Sequence, residues 1–358
     1  MDFSFSDCKI TGMLAVMPNR EIFFKDEIGN FSFSEKSSLQ LAKALGLHSR
    51  RILDDGFIAS DLCIHGLHYL FDQKMLEKSE IAAIIFVSQT PDYFLPPTSN
   101  IIQGKLGLGH DVICLDINQG CSGFVLGLFE SFSLLGPVGD RGKIVLLHAE
   151  SLSLTVSKRD RNTAPLFGDA ASITIIEKSK EKSISRFKIK NDGSRYDAII
   201  IPAGGFRQRP SEKTQTEELR DDGNYRNLEQ VWMKGEDIYN FTIRDAVNLI
   251  HAIVADSGFC KEEIDYYMLH QPNQFILKNM IKKLNCPEEK APYNIQGIFG
   301  NSGGATLPVS MVYNLGSLLE TQKLKLILSG FGTGLAWNAM SSEMGNMKFC
   351  KMIGHPIV

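Results

Sequence analysis

The chain is 358 residues long, 43% hydrophobic and 22% charged, with a formal net charge of −3 at pH 7. Those proportions are ordinary for globular proteins and exclude collagen-like, disordered and coiled-coil readings; the near-neutral balance excludes a global nucleic-acid footprint. The longest fully apolar run, Ile81–Val87, is far too short to cross a bilayer, and a start carrying Asp2 and Asp7 predicts no leader. Seven cysteines with no C-x-x-C spacing predict a reduced, cytoplasmic chain in which one thiol reacts and the rest pack.

In chain order, helical spacing over Ser38–Ala44 precedes an apolar strand at Ile81–Ser88. Strand Val112–Ile117 leads through a glycine turn into helix Phe124–Leu135, and strands Lys143–His148 and Ala171–Ile176 follow. The polar stretch Arg207–Asn227 reads as a long surface loop or lid. Beyond it come helix Asp237–Ala255, strand Tyr266–Leu269, helix Gln274–Leu284 and strand Leu324–Ser329. Strands alternating with helices predict an α/β architecture with largely parallel, buried sheets.

An internal repeat organises these elements. Glu80-Ile81, an apolar strand and Gln89-x-Pro91 correspond to Glu263-Ile264, an apolar strand and Gln271-Pro272. Lys143-Ile144-Val145-Leu146 corresponds to Lys325-Leu326-Ile327-Leu328, and Gly120-Cys121-Ser122-Gly123 to Gly300-Asn301-Ser302-Gly303. The three offsets agree to within a few residues and keep their order. They predict two copies of one α/β unit, residues 1–180 and 181–358, with an active site between them.

Chemistry concentrates at the strand ends of both copies. Cys121 lies between a strand and an apolar helix, where free N–H groups and the positive end of the dipole are expected to favour thiolate. His270 closes strand Tyr266–Leu269, and Asn301 precedes an apparent helix; such strand ends are where α/β folds bind ligands. Two competing motifs are weaker. Gly300-x-Ser302-x-Gly304 fits a hydrolase elbow, yet the only later histidine is His355. Cys63-x-His65-x-x-His68 lacks a sensibly spaced fourth metal ligand and reads as a packed helix, so no metal is expected. Asp169 and Glu150 read as buried hydrogen-bonding residues.

With these residues in hand, the sequence resembles the β-ketoacyl-acyl carrier protein synthase III family of the thiolase superfamily. The resemblance is carried by Asp116-Ile117-Asn118-Gln119-Gly120-Cys121-Ser122-Gly123-Phe124, by Asp160-Arg161-Asn162-Thr163 with Phe167-Gly168-Asp169-Ala170, and by Asn191-Asp192-Gly193-Ser194. Met233-Lys234-Gly235, His270-Gln271-Pro272-Asn273, Gly300-Asn301-Ser302 and Phe331-Gly332-Thr333-Gly334 complete it in family order. It implies a thiolase-like duplicated fold, layered α-β-α-β-α, and a homodimer.

The resemblance also implies a decarboxylative Claisen condensation on acyl thioesters linked to acyl carrier protein or coenzyme A, without metal or redox cofactor. Cys121 would take the acyl group, and His270 with Asn301 would stabilise the enolate of a malonyl-type extender. Backbone N–H groups of Cys121 and Thr333 would form the oxyanion hole. Arg161, Leu95 and Met233 fall at substrate-binding positions, and Lys278, Lys282 and Lys283 offer a docking face for an acidic carrier. The family's adenine-stacking tryptophan falls at Gln40 and its companion arginine at Ala44, which puts coenzyme A recognition in question; the arginine usual five residues past the histidine falls at Phe275. An acyltransferase or thioester hydrolase using Cys121 and His270 is the alternative on the same scaffold.

Overall fold

The computed structural model describes residues 2–181 and 183–355. Two mixed sheets carry the molecule. The first runs Phe349–Gly354, Cys8–Met17, Asp169–Lys178, Lys143–Ser151, Ile81–Val87, Ile113–Ile117. The second runs Asp2–Phe5, Ser185–Asn191, Ala336–Gly345, Lys323–Gly332, Tyr266–Leu269. The first and last strands are therefore exchanged: Asp2–Phe5 pairs with Ser185–Asn191, whereas Phe349–Gly354 pairs with Cys8–Met17.

Burial alternates along each central strand and sorts side chains into layers. Ile144 and Leu146 face one core while Val145 and Leu147 face another, as a period of two requires. The inner core packs helices Gly123–Val138 and Thr306–Thr321 between the sheets, through Phe124, Leu128, Leu307 and Met311. Helices Ala59–Asp72 and Thr98–Lys105 cover the first sheet's outer face. Gln274–Leu284 and the continuous helical run over residues 235–256 cover that of the second. The result is a layered α-β-α-β-α arrangement. The central strands are covered on both faces, which is why Ile81–Val87 and Lys143–His148 read as near-continuous apolar runs.

The expectation of largely parallel sheets is corrected. Asp169–Lys178 pairs antiparallel with both Lys143–Ser151 and Cys8–Met17, and Ala336–Gly345 antiparallel with both of its neighbours. No crossover helix separates Lys143–Ser151 from Asp169–Lys178, and a tight turn joins Lys323–Gly332 to Ala336–Gly345, so these strands return antiparallel. The segment read as a lid is also corrected. It folds into helix Glu212–Gln215 and a small ladder of Glu218–Leu219 with Tyr225–Arg226. Arg226 ties it down through ion pairs to buried Asp160 at 2.8 Å and to Asp222 at 2.6 Å.

Candidate active site

The strand ends of the two sheets meet over one cavity of about 590 Å³, whose lining includes Cys121, His270, Asn301 and Thr333. Cys121 sits in the turn between Ile113–Ile117 and helix Gly123–Val138. The turn is held by Gln119, whose Nε2 donates to Ser122 Oγ at 3.0 Å and to the Thr333 carbonyl at 3.2 Å. Strand Lys323–Gly332 can lie directly on it because two of its residues are glycines. A Cβ at Gly332 would fall 2.8 Å from Cys121 Sγ, and one at Gly330 would fall 2.7 Å from the Cys121 carbonyl oxygen. Gly332 thereby brings the N–H of Thr333, with its hydroxyl, to the Cys121 sulfur, beside the N–H of Cys121 itself.

The expected thiolate is corrected. Burial pushes the Cys121 thiol up to about 11, and the carboxylate of Glu150 pushes the same way. The N–H donors at the helix start oppose this but do not win, since desolvation of a buried anion outweighs a partial dipole charge. Cys121 is a neutral thiol at pH 7 that the N–H groups are placed to stabilise once it ionises.

His270 follows Leu269, and its N–H continues the ladder by donating to the Ser329 carbonyl at 2.8 Å. Its Nδ1 lies 2.7 Å from Thr306 Oγ1, and its ring packs edge-on against Phe331. Burial lowers its pKa to about 3, so the imidazole is neutral, with Nε2 as the nitrogen free of Thr306. Asn301 is set by a crossing of two chain segments, where its N–H donates to the Leu166 carbonyl and its own carbonyl accepts from the Gly168 N–H. Its Oδ1 accepts from the Gly303 N–H at 3.0 Å, which leaves the NH₂ end of the carboxamide to face the cavity.

Behind this floor lies a pair that the catalytic motifs do not include. Glu150 is fully buried and accepts from the Gln89 N–H, Ser88 Oγ and Thr90 Oγ1. His148, also fully buried, has its Nε2 3.9 Å from Glu150 Oε1, and neither ring nitrogen has a hydrogen-bond partner among the described residues. Burial raises Glu150 to about 8 and lowers His148 to about 3. Two glycines make room for the ring: a Cβ at Gly304 would lie 2.1 Å from His148 Cε1, and one at Gly123 2.9 Å away. Asp169 accepts from Leu53 N, Ser153 N and Ser153 Oγ, a hydrogen-bonding role like that read for it in the sequence.

The other candidate residues are dispersed. Met233 lines the cavity, beside Ile199, Ile238 and Val231. Arg161 does not line it: its guanidinium lies 3.5 Å over the Phe33 ring, its Nη1 donates to Ser37 Oγ, and its backbone N–H donates to Asn224 Oδ1. Leu95 projects from the surface, 78% exposed, beside Phe94 and outside its own chain's cavity. Lys278, Lys282 and Lys283 lie on the exposed face of helix Gln274–Leu284. Sequence reasoning missed Thr306 and Phe33, because each acts on a residue that only the tertiary fold brings near.

The competing motifs come apart. No hydrogen bond joins Ser302 to an imidazole among the described residues, and His355 lies against His65 instead. Cys63 packs with Leu62 and Leu67 in the outer core, and no cluster of three metal-ligating side chains occurs among the described residues.

Comparison with known proteins agrees with the geometry. Residues 115–193 match the family described as 3-oxoacyl-[acyl-carrier-protein (ACP)] synthase III, and residues 254–344 match its C-terminal part. The chain is 30% identical over 341 residues to a Campylobacter jejuni relative named 3-oxoacyl-[acyl-carrier-protein] synthase 3, covering 95% of this chain and 94% of that one. It is 30% identical over 308 residues to a β-ketoacyl-[acyl-carrier-protein] synthase III of Streptococcus uberis, covering 86% and 90%. Among solved structures, a 3-oxoacyl-(acyl-carrier protein) synthase from Burkholderia xenovorans LB400 superposes with a TM-score of 0.91 at 30% identity, covering 99% of both chains.

Proposed function

The chain belongs to the 3-oxoacyl-[acyl-carrier-protein] synthase III family, and from that premise we propose that it is a condensing acyltransferase. It joins a Cys121-bound acyl group to a malonyl-type thioester. The observation that carries this reading is the convergence of a thiol, a neutral imidazole, a carboxamide and the Thr333 N–H on one cavity.

In the first half-reaction Cys121 attacks the donor's thioester carbon. A new C–S bond forms, the donor's C–S bond breaks, and the thiol proton ends on the departing sulfur. The oxygen of the tetrahedral intermediate lies between the N–H groups of Cys121 and Thr333, which are fixed before reaction and pay no reorganisation cost. In the second, the extender's thioester oxygen meets His270 and Asn301. Carbon dioxide leaves, the enolate they stabilise attacks the acyl carbonyl, and the C–S bond to Cys121 breaks; the thiolate regains a proton. Met233 forms part of the substrate wall.

A homodimer fits the exposed features of the first sheet. Its edge strand Ile113–Ile117 presents Ile113 and Leu115 to solvent, and Tyr93, Phe94, Leu95 and Phe206 form an exposed apolar cluster. A second copy covering that edge would bring Leu95 toward its acyl cavity. Seven free thiols accord with a reducing cytoplasm, and no helix among the described residues is long and apolar enough to cross a membrane.

Intact-mass measurement tests the chemistry. An acyl thioester should leave its acyl mass on the wild type and none on Cys121→Ala, and adding malonyl thioester should discharge it with release of carbon dioxide. Acyl transfer without decarboxylation would replace condensation with the acyltransferase or hydrolase reading.

A further inference from the structure

The walls of the cavity are apolar for most of their extent. Ile199, Val231, Met233 and Ile238 line it, Phe33 packs against the same cluster as Val231 and Met233, and Phe275 is exposed at its mouth. Four carboxamides interrupt this lining: Gln89, Asn118, Asn273 and Asn301. Two of them are partly committed to backbone. Asn273 Oδ1 caps helix Gln274–Leu284 by accepting from the Ile276 N–H at 2.9 Å, and Asn301 Oδ1 accepts from the Gly303 N–H. The side chains of Gln89 and Asn118 make no hydrogen bond among the described residues, and Gln89 is the one that touches the nucleophile turn.

Gln89 is fixed from two directions. It follows strand Ile81–Val87 by two residues, and its backbone N–H donates to both oxygens of buried Glu150 at 3.1 Å. Its neighbours are held as firmly: the Ser88 N–H donates to the Ile117 carbonyl, while Thr90 Oγ1 donates to Glu150 and accepts from the Ser151 N–H. On the other side the carboxamide lies against Gly120, where a Cβ would fall 2.8 Å from Gln89 Cδ. Gly120 directly precedes Cys121, and consecutive Cα atoms are about 3.8 Å apart, so the carboxamide stands beside the first few carbons of an acyl group carried on the sulfur. Gln271 makes the contrast. It too follows its strand, Tyr266–Leu269, by two residues, yet it is fully buried and its Nε2 donates to the Leu269 and Pro292 carbonyls. One glutamine serves the backbone; the other faces the substrate space.

An alkyl group laid over Gln89 would take its carboxamide out of water and return no hydrogen bond. A hydroxyl or oxo oxygen on the acyl chain would return one, since the carboxamide both donates and accepts. Sites that hold such a partner discriminate against analogues lacking it far better than apolar pockets discriminate by size.

We propose that Gln89 selects the acyl group that primes Cys121, and that this group is short and carries a hydroxyl or oxo oxygen near its third carbon. The proposal rests on the ketosynthase reading, because it names the acyl class for that same half-reaction. The test compares butyryl-, (R)-3-hydroxybutyryl- and (S)-3-hydroxybutyryl-pantetheine, with acylation of Cys121 read by intact mass. One hand of the hydroxyacyl group should exceed butyryl in kcat/KM by about tenfold or more. Butyryl used as well as both hands, or better, overturns the proposal. Gln89→Met keeps the length of the side chain and removes its polar end, so it should lower the hydroxyacyl-to-butyryl ratio about tenfold. An unchanged ratio overturns the proposal, and so does an equal loss for all three, which would place Gln89 on atoms common to every acyl group. Gln89→Leu serves the same comparison should the first variant fold poorly. Acylation of the wild type by none of the three would instead sink the ketosynthase reading itself, a failure that a ranking among acyl groups cannot produce.

Discussion

The floor of the cavity and its mouth obey different rules. On the floor, position is set by missing side chains: Gly330 and Gly304 let backbone approach backbone, Gly332 admits the Cys121 side chain and Gly123 the His148 ring. At the mouth, position is set by large side chains, with Phe33 on Arg161, Tyr225 under Arg159 and Trp232 beside Arg220 and Arg226. A floor of this kind tolerates almost no change, because any added carbon collides with backbone or with the Cys121 and His148 side chains. A mouth of stacked side chains can be rebuilt without disturbing the floor.

The sharpest way to break this division is Gly332→Ala. Its Cβ would lie 2.6 Å from the Cys121 Cβ and 2.8 Å from its sulfur and displace the Thr333 N–H, so priming by the folded protein should fall by about 10²–10³-fold. A rate within threefold of wild type would show that the close approach is dispensable. Next comes the mouth's anchor. Arg226→Ala leaves Asp160 buried without its partner and should cost about 3 kcal/mol, read as a lower urea midpoint. Priming from acyl-pantetheine should survive in the folded fraction, and its loss would mean that floor and mouth are one unit.

Asn301→Asp removes the NH₂ donor while keeping the shape. Carbon dioxide release should fall about 100-fold, with priming reduced far less; equal losses would remove Asn301 from the second half-reaction. The smallest effect concerns His148. Burial holds both His148 and His270 near 3 in the folded state, below the ordinary histidine value of 6.5. Between those values the unfolded chain binds the protons and the folded chain does not. The contribution of these two imidazoles is therefore complete above pH 6.5 and falls as acid is added, by about 1.4 kcal/mol per pH unit for each. Glu150, raised to about 8, works in the opposite sense between about pH 8 and its ordinary value of 4.5. His148→Leu should make the slope of stability against pH less steep by about 1.4 kcal/mol per unit between about pH 6 and 5 in urea titrations, and an unchanged slope would count against a neutral buried ring.

How much was legible in the sequence follows the same division. The strand ends carrying Cys121, His270 and Asn301 were readable because glycine turns and apolar runs are local signals. Tyr266–Leu269 and Gln274–Leu284 match the observed elements residue for residue. Strand Cys8–Met17 was not readable, because Gly12 sits in its middle; that glycine exists to admit the ring of Phe349, which is remote in sequence. Ala336–Gly345 hides for another reason, since Asn338, Ser341 and Ser342 break its apolar pattern while being buried. The Phe33–Arg161–Gly223 contact joins three distant segments and leaves no periodic trace. The state of Cys121 was misread because dipole and burial oppose each other, and only the folded site reveals that burial is the stronger.

The exchanged outer strands bear on how the protein is made. Cys8–Met17 is among the first strands to leave the ribosome, yet one of its two neighbours, Phe349–Gly354, is the last strand of the fold to emerge. At roughly 5–20 residues per second, the early strand waits tens of seconds with an open flank. That flank stays without its partner until Phe349–Gly354 emerges, an exposed strand edge of the kind a chaperone can shield.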